Sequence, residues 1–146
     1  MIPLTIIAQL LAFIVQPNAI AELSTNTLTI EVTGLAPSKG NIILSLYNKA
    51  EGFPESAEAT YQTASMPVKA GKVNIPLLKI PNGTYAVAFF HDANGNGKMD
   101  YNFFGLPTEG YGFSNNAMGK FGPPSFKAAS FAFTGAEKVT MKVKYL

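Results

Sequence analysis

The chain has 146 residues, 47% hydrophobic and 14% charged, which fits one folded domain and excludes a disordered chain. Thirteen Gly and ten Pro argue against a helical bundle, and the lack of Cys excludes disulfides, thiolate metal sites and a cysteine nucleophile. The net charge is only +2 and all eleven basic residues are Lys, so neither a strong positive field nor the Arg fork that reads guanine and phosphate is present, and nucleic acid is not expected as a partner.

Residues 2–15 are almost continuously apolar (IPLTIIAQLLAFIV). A turn at Gln16-Pro17-Asn18 and a small-x-small pattern at Ala19-Ile20-Ala21 follow. This is the layout of a secretory signal peptide, here without a Lys or Arg ahead of the apolar run. The run is shorter than the ~20 residues that span a bilayer. The expectation is cleavage after Ala21, leaving residues 22–146 as a single exported domain, periplasmic or extracellular. No second long apolar run follows, so no membrane span is expected in that domain.

Beyond residue 26 the pattern changes to short strands. Leu28, Ile30 and Val32 alternate with polar residues, which gives one buried and one wet face. Residues 42–47 (IILSLY) read as a central strand, and a weaker strand covers 60–66. Val73, Ile75 and Leu77 alternate around Pro76, which has no N–H to give a ladder and so predicts an edge strand. Residues 85–90 (YAVAFF) follow the turn Pro81-Asn82-Gly83. Residues 126–133 read as a strand, because Phe131 and Phe133 are two apart. Val139, Met141, Val143 and Tyr145 alternate with Lys138, Thr140, Lys142 and Lys144 to form the last. Seven short strands separated by Gly and Pro turns predict an all-β, seven-stranded antiparallel β-sandwich, prealbumin- or immunoglobulin-like.

Residues 92–124 interrupt this rhythm. They hold seven of the thirteen Gly and three Pro, and they show no sustained periodicity. A loop this long is uncommon in a compact domain unless it is functional. Its aromatics (Tyr101, Phe103, Phe104, Tyr111, Phe113, Phe121) argue that it is ordered. It opens Asp92-Ala93-Asn94-Gly95-Asn96-Gly97-Lys98-Met99-Asp100, with oxygen-bearing side chains at positions 1, 3, 5 and 9 and Gly at position 6. Calcium takes six to eight hard oxygen ligands at about 2.3–2.6 Å, which alternate side chains on a tightly curved loop supply together with one backbone carbonyl. The candidate calcium ligands are Asp92, Asn94, Asn96, the Lys98 carbonyl, Asp100 and, in place of the usual Glu at position 12 (here Phe103), Glu109. The chain has only two Asp, and both fall at ligand positions. With few carboxylates, affinity is expected at roughly 10⁻⁴–10⁻³ M. The same residues also fit a plain turn in which Asp and Asn cap their own backbone.

Together these segments resemble a family of small exported bacterial proteins known as domain of unknown function 2141. The resemblance is carried by Glu51-Gly52-Phe53-Pro54, by Pro81-Asn82-Gly83-Thr84-Tyr85-Ala86-Val87 and by the run from His91 to Asp100. It continues in Gly105-Leu106-Pro107-x-Glu109-Gly110-Tyr111-Gly112-Phe113-Ser114-Asn115-Asn116. It implies an exported β-sandwich with no established activity.

Two further readings stand beside calcium binding. The aromatics of residues 101–113 would suit a surface for a small molecule, a glycan or a peptide. His91, the only His, and Glu109 would be the centre of a hydrolase if they converged. Against that, His91 and Asp92 are neighbours on a strand and point to opposite faces. Ser114 lacks the Gly-x-Ser-x-Gly setting of a nucleophile elbow.

Overall fold

The structure is a computed structural model that describes residues 25–146. The expected signal peptide, residues 1–21, lies outside them. The chain runs β1 (Thr25–Thr33), β2 (Asn41–Tyr47), β3 (Gln62–Pro67), β4 (Lys72–Pro81), β5 (Gly83–Asp92), β6 (Tyr111–Phe113), a one-turn helix α1 (Phe126–Ala129), β7 (Phe131–Phe133) and β8 (Glu137–Lys142). These strands form two sheets, one ordered β4-β1-β8 and one ordered β3-β2-β5-β6, with β7 also paired to β5. The described residues thus hold eight strands rather than seven.

The side-chain period of two along each strand sets the burial. Ile42, Leu44 and Leu46 of β2 and Tyr85, Val87 and Phe89 of β5 meet Leu28, Ile30, Val32, Ile75, Leu77 and Met141 of the other sheet in one core. Each fully buried Leu or Ile in it contributes about 1.5–3 kcal/mol. β4 lies at an edge, as Pro76 requires, with Pro76 opposite Thr29. Its alternation slips after Leu77. Leu28 pairs with Leu77 but Asn26 pairs with Ile80, so two residues of β4 face one of β1. This bulge places Lys79 at φ 59° and returns Ile80 to the core.

Three expectations need correction. The sheets are not wholly antiparallel, because β8 runs parallel to β1, from Leu28↔Glu137 to Thr33↔Lys142. Alternation decides which face of a strand is buried and carries no information on the direction of its neighbour. The strand expected over 126–133 is shorter: the Ser125 hydroxyl accepts from Ala128 N–H at 3.2 Å and starts α1, so only Phe131–Phe133 is extended. The long loop is not all irregular, since it contains β6, paired to β5 through Ala88↔Phe113 and Phe90↔Tyr111.

A second, smaller apolar cluster covers the other face of β5. Ala86, Phe113 and Ala129 are buried there, with Phe53, Tyr111 and Phe126 packed against them. Phe53 stands edge-on to Tyr47, Phe113 and Phe126, with ring centroids 5.1, 6.2 and 5.8 Å apart. The Gly52-Phe53-Pro54 segment is thus a plug over this face.

Candidate functional site

Strand β5 delivers the site. Tyr85, Val87, Phe89 and His91 point into the main core, and Asp92, the next residue, points to the other face at the strand's end. Both His91 and Asp92 are buried. Gly40 packs directly against the Asp92 carbonyl and Ala93, where a Cβ would clash with the backbone. The β1–β2 connection therefore braces the start of the loop.

From Asp92 the chain winds back on its own carboxylate. Asp92 Oδ1 accepts from Gly95 N–H at 2.8 Å and Asn96 N–H at 3.1 Å, and Oδ2 accepts from Gly97 N–H at 2.8 Å. Gly95 and Gly97 both sit at φ 77°, in the left-handed region that makes so tight a turn accessible. Asn94 and Asn96 repeat the pattern: Asn94 Oδ1 accepts from Asn96 N–H at 3.1 Å, and Asn96 Oδ1 from Lys98 N–H at 3.0 Å. Their amide nitrogens both donate to the Asp100 carboxylate, at 2.7 Å from Asn94 and at 2.9 and 3.0 Å from Asn96. The side chains at positions 3, 5 and 9 therefore meet at one point.

Glu109 closes the loop from the far side. Its Oε1 accepts from Ala93 N–H at 3.1 Å and its Oε2 from Asp100 N–H at 3.2 Å. It is buried and ties the first residue after β5 to the ninth position of the loop. A carboxylate offers about four lone-pair positions. Asp92 spends three of them on backbone N–H groups and Glu109 two. Each keeps acceptor capacity beyond what the loop consumes. Among the described residues, no three His, Asp or Glu side chains form a group able to hold a metal ion by themselves. A metal site here would need donors besides these side chains, such as amide or backbone oxygens.

Residues 100–108 form a small hairpin beside this knot. Thr108 N–H donates to the Asp100 carbonyl at 2.9 Å, and Tyr101 pairs with Pro107. Asn102 organises the tip. Its N–H donates to the Leu106 carbonyl at 2.8 Å, and its Oδ1 accepts from Phe104 and Leu106 N–H at 2.9 and 3.0 Å. The loop aromatics consequently divide. Tyr111 and Phe113 belong to the second apolar cluster, whereas Tyr101, Phe103 and Phe104 are exposed.

His91 is committed on both ring nitrogens. Nε2 lies 2.6 Å from the Lys39 carbonyl, which only accepts, so Nε2 carries the proton. Nδ1, 2.8 Å from Tyr145 Oη, then accepts from that hydroxyl, which itself accepts from Ala36 N–H at 2.9 Å. This chain locks the imidazole into the wall between the sheets. Burial pushes the Tyr145 hydroxyl pKa up, partly offset by the Ala36 N–H. No hydrogen bond joins His91 to Glu109, whose carboxylate is engaged by Ala93 and Asp100. Ser114 is likewise structural: its hydroxyl accepts from Val87 N–H at 2.8 Å and donates to the Ala129 carbonyl, deep in the fold.

Sequence reasoning missed Asn102 and the partners of His91. Asn102 had a visible signal, an Asn three residues before Gly105, which is an ordinary turn pattern. The meeting of His91 with Tyr145 and Lys39 had none, because it joins positions more than fifty residues apart.

A family model described as "Uncharacterized protein conserved in bacteria (DUF2141)" matches residues 30–142. No curated protein and no solved structure matches the chain.

Proposed function

The chain belongs to this family of uncharacterized proteins conserved in bacteria, and we propose that it is an exported domain that binds calcium in the loop from Asp92 to Glu109 and uses the ion to brace that loop in a structural or binding role. One observation carries this reading: Asn94, Asn96 and Asp100, three side chains at alternating or near-alternating positions, converge on a single point flanked by the buried carboxylates of Asp92 and Glu109. Asn94 and Asn96 bring amide groups to that point, and an amide presents either its oxygen or its nitrogen by turning about its last bond. The ligand set is then Asp92, Asn94, Asn96, the Lys98 carbonyl, Asp100 and Glu109. All are oxygen donors, which suits a hard cation and not zinc or copper. Export is supported by the apolar segment 2–15 and its Ala19-Ile20-Ala21 ending. The two sheets around a shared core support a sandwich of prealbumin or immunoglobulin type.

Thermal melts test the reading. At ten times its Kd, calcium stabilises the fold by about 1.4 kcal/mol, a rise of several degrees in Tm. Asp100→Asn keeps the size of that side chain and one of its two acceptor oxygens, at an exposed cluster of side chains, while removing its charge. It should leave the melt in chelator nearly unchanged and abolish the calcium response. No rise in millimolar calcium, or an equal rise for Asp100→Asn, overturns the proposal.

A further inference from the structure

The tip of the 100–108 hairpin carries a feature that the calcium loop does not explain. Phe103 is 97% exposed, Phe104 83%, Tyr101 62% and Leu106 51%. Phe103 and Phe104 pack edge-to-face on each other, with centroids 5.6 Å apart. Such side chains ordinarily fold back onto the body of a protein. Here the Asn102 hydrogen bonds, the Gly105 N–H to Asn102 carbonyl bond at 3.0 Å and the stem pair Tyr101–Pro107 hold them outwards. The tip is convex and pre-shaped.

We propose that this tip inserts into an anionic lipid surface. The geometry chooses among the occupants. A full aromatic side chain offers about 150–250 Å², so the four residues present roughly 500 Å². A stable interface between two copies needs about 800 Å² from each. A lipid surface demands no matching shape, only apolar side chains that sink about 5–10 Å into the boundary between headgroups and acyl chains. The charge around the tip agrees. Lys98 is exposed on the same connection, and exposed Lys39 and Lys144 stand at the same end of the five-stranded sheet, where Asn41 pairs with Asp92 and Tyr111 with Lys144. The acidic groups at that end, Asp92, Asp100 and Glu109, are turned onto N–H donors of the loop itself. The arrangement sets apolar side chains in front and lysines behind, which is the order in which a membrane interface presents hydrocarbon and phosphate.

The chain has no Trp, so Phe103→Trp supplies a reporter without background. The full chain carrying it is mixed with vesicles of phosphatidylglycerol and phosphatidylcholine. The expected result is a blue-shifted emission with vesicles and none with pure phosphatidylcholine. A reporter at exposed Leu78 on β4 (Leu78→Trp) should not shift. In co-sedimentation, the double change Phe103→Ser and Phe104→Ser should weaken vesicle binding at least about tenfold. Both residues are exposed, so its thermal melt should be unaltered. An unshifted reporter at 103 overturns the proposal, as does an equal shift with pure phosphatidylcholine. So does vesicle binding retained by the double variant, which assigns binding to the apolar segment 2–15. A shift that needs no vesicle and grows with protein concentration assigns the tip to a second copy and also overturns it. The calcium response is read separately in the melts, so a missing response defeats the proposed function without touching this inference.

Discussion

The strands of the two sheets and the connection from residue 93 to residue 110 reach a defined shape by opposite means. In the sheets, Leu28, Ile42, Leu44, Ile75, Leu77 and Met141 are all fully or almost fully buried, and the backbone ladder follows from that burial. In the connection, the large apolar side chains at the hairpin tip face water, while Asp92, Asn94, Asn96, Asn102 and Glu109 each accept N–H groups of the loop. Apolar burial is non-directional and shared among many neighbours. The polar knot is directional and rests on a handful of acceptors, each of which an ion can compete for. The proposed cation site draws on the second region and not on the first.

Substitutions can break this contrast, beginning with the sheets. Leu44→Ala should cost about 2–5 kcal/mol in denaturant unfolding, because the closely packed core cannot collapse around the void. The calcium increment in Tm should survive it unchanged if the two regions are independent. Ser114→Ala should cost about 2 kcal/mol by the same measurement, since it leaves Val87 N–H and the Ala129 carbonyl buried without their partner. That makes Ser114 the place where the sheets depend on polar bonding as the loop does. Asn102→Ala removes two acceptor bonds at an exposed tip and should cost at most about 1 kcal/mol globally. Its sharper readout is amide exchange, which should speed up at Phe104 and Leu106 and stay constant at Val87. Lys79→Gly, at the β4 bulge, should raise stability by about 0.5–1 kcal/mol, because Gly accepts φ 59° without the cost paid by a residue with a Cβ.

The smallest effect is one of pH. Burial raises the pKa values of Tyr47, Tyr85 and Tyr145 above their ordinary value of 10.0. A raised pKa means the fold prefers the neutral phenol. The stability it contributes is full below the unfolded value and is lost as pH rises through the folded one. Tm should therefore be flat with respect to these groups up to about pH 10 and fall beyond it. Tyr145→Phe should reduce that fall, and it should also free His91 Nδ1, which the nitrogen chemical shift of that atom would report while the Nε2–H tautomer stays in place.

Much of this was legible in the residues. The alternation in 28–32, 73–77 and 139–143 marks strands and their buried faces, because a side-chain period of two is a local property of extended backbone, and the apolar run 42–47 marks a central strand without saying which face is buried. Pro76 marked an edge for an equally local reason, its missing N–H. The placement of both Asp at positions 1 and 9 of a Gly-rich loop identified the region in which polar side chains gather. None of these readings needed to know what lies opposite each strand.

What lies opposite was settled only by the tertiary structure. The parallel pairing of β8 with β1, the recruitment of Tyr111–Phe113 onto β5 and the shortening of 126–133 by the Ser125 cap depend on which edges were free. So do the division of the loop aromatics between a buried cluster and an exposed tip, and the capture of His91 between Lys39 and Tyr145. A chain specifies by its own pattern which side of each element avoids water. Which element covers that side is decided by the competition of distant segments for the same surface, and that competition exists only once the chain has folded together.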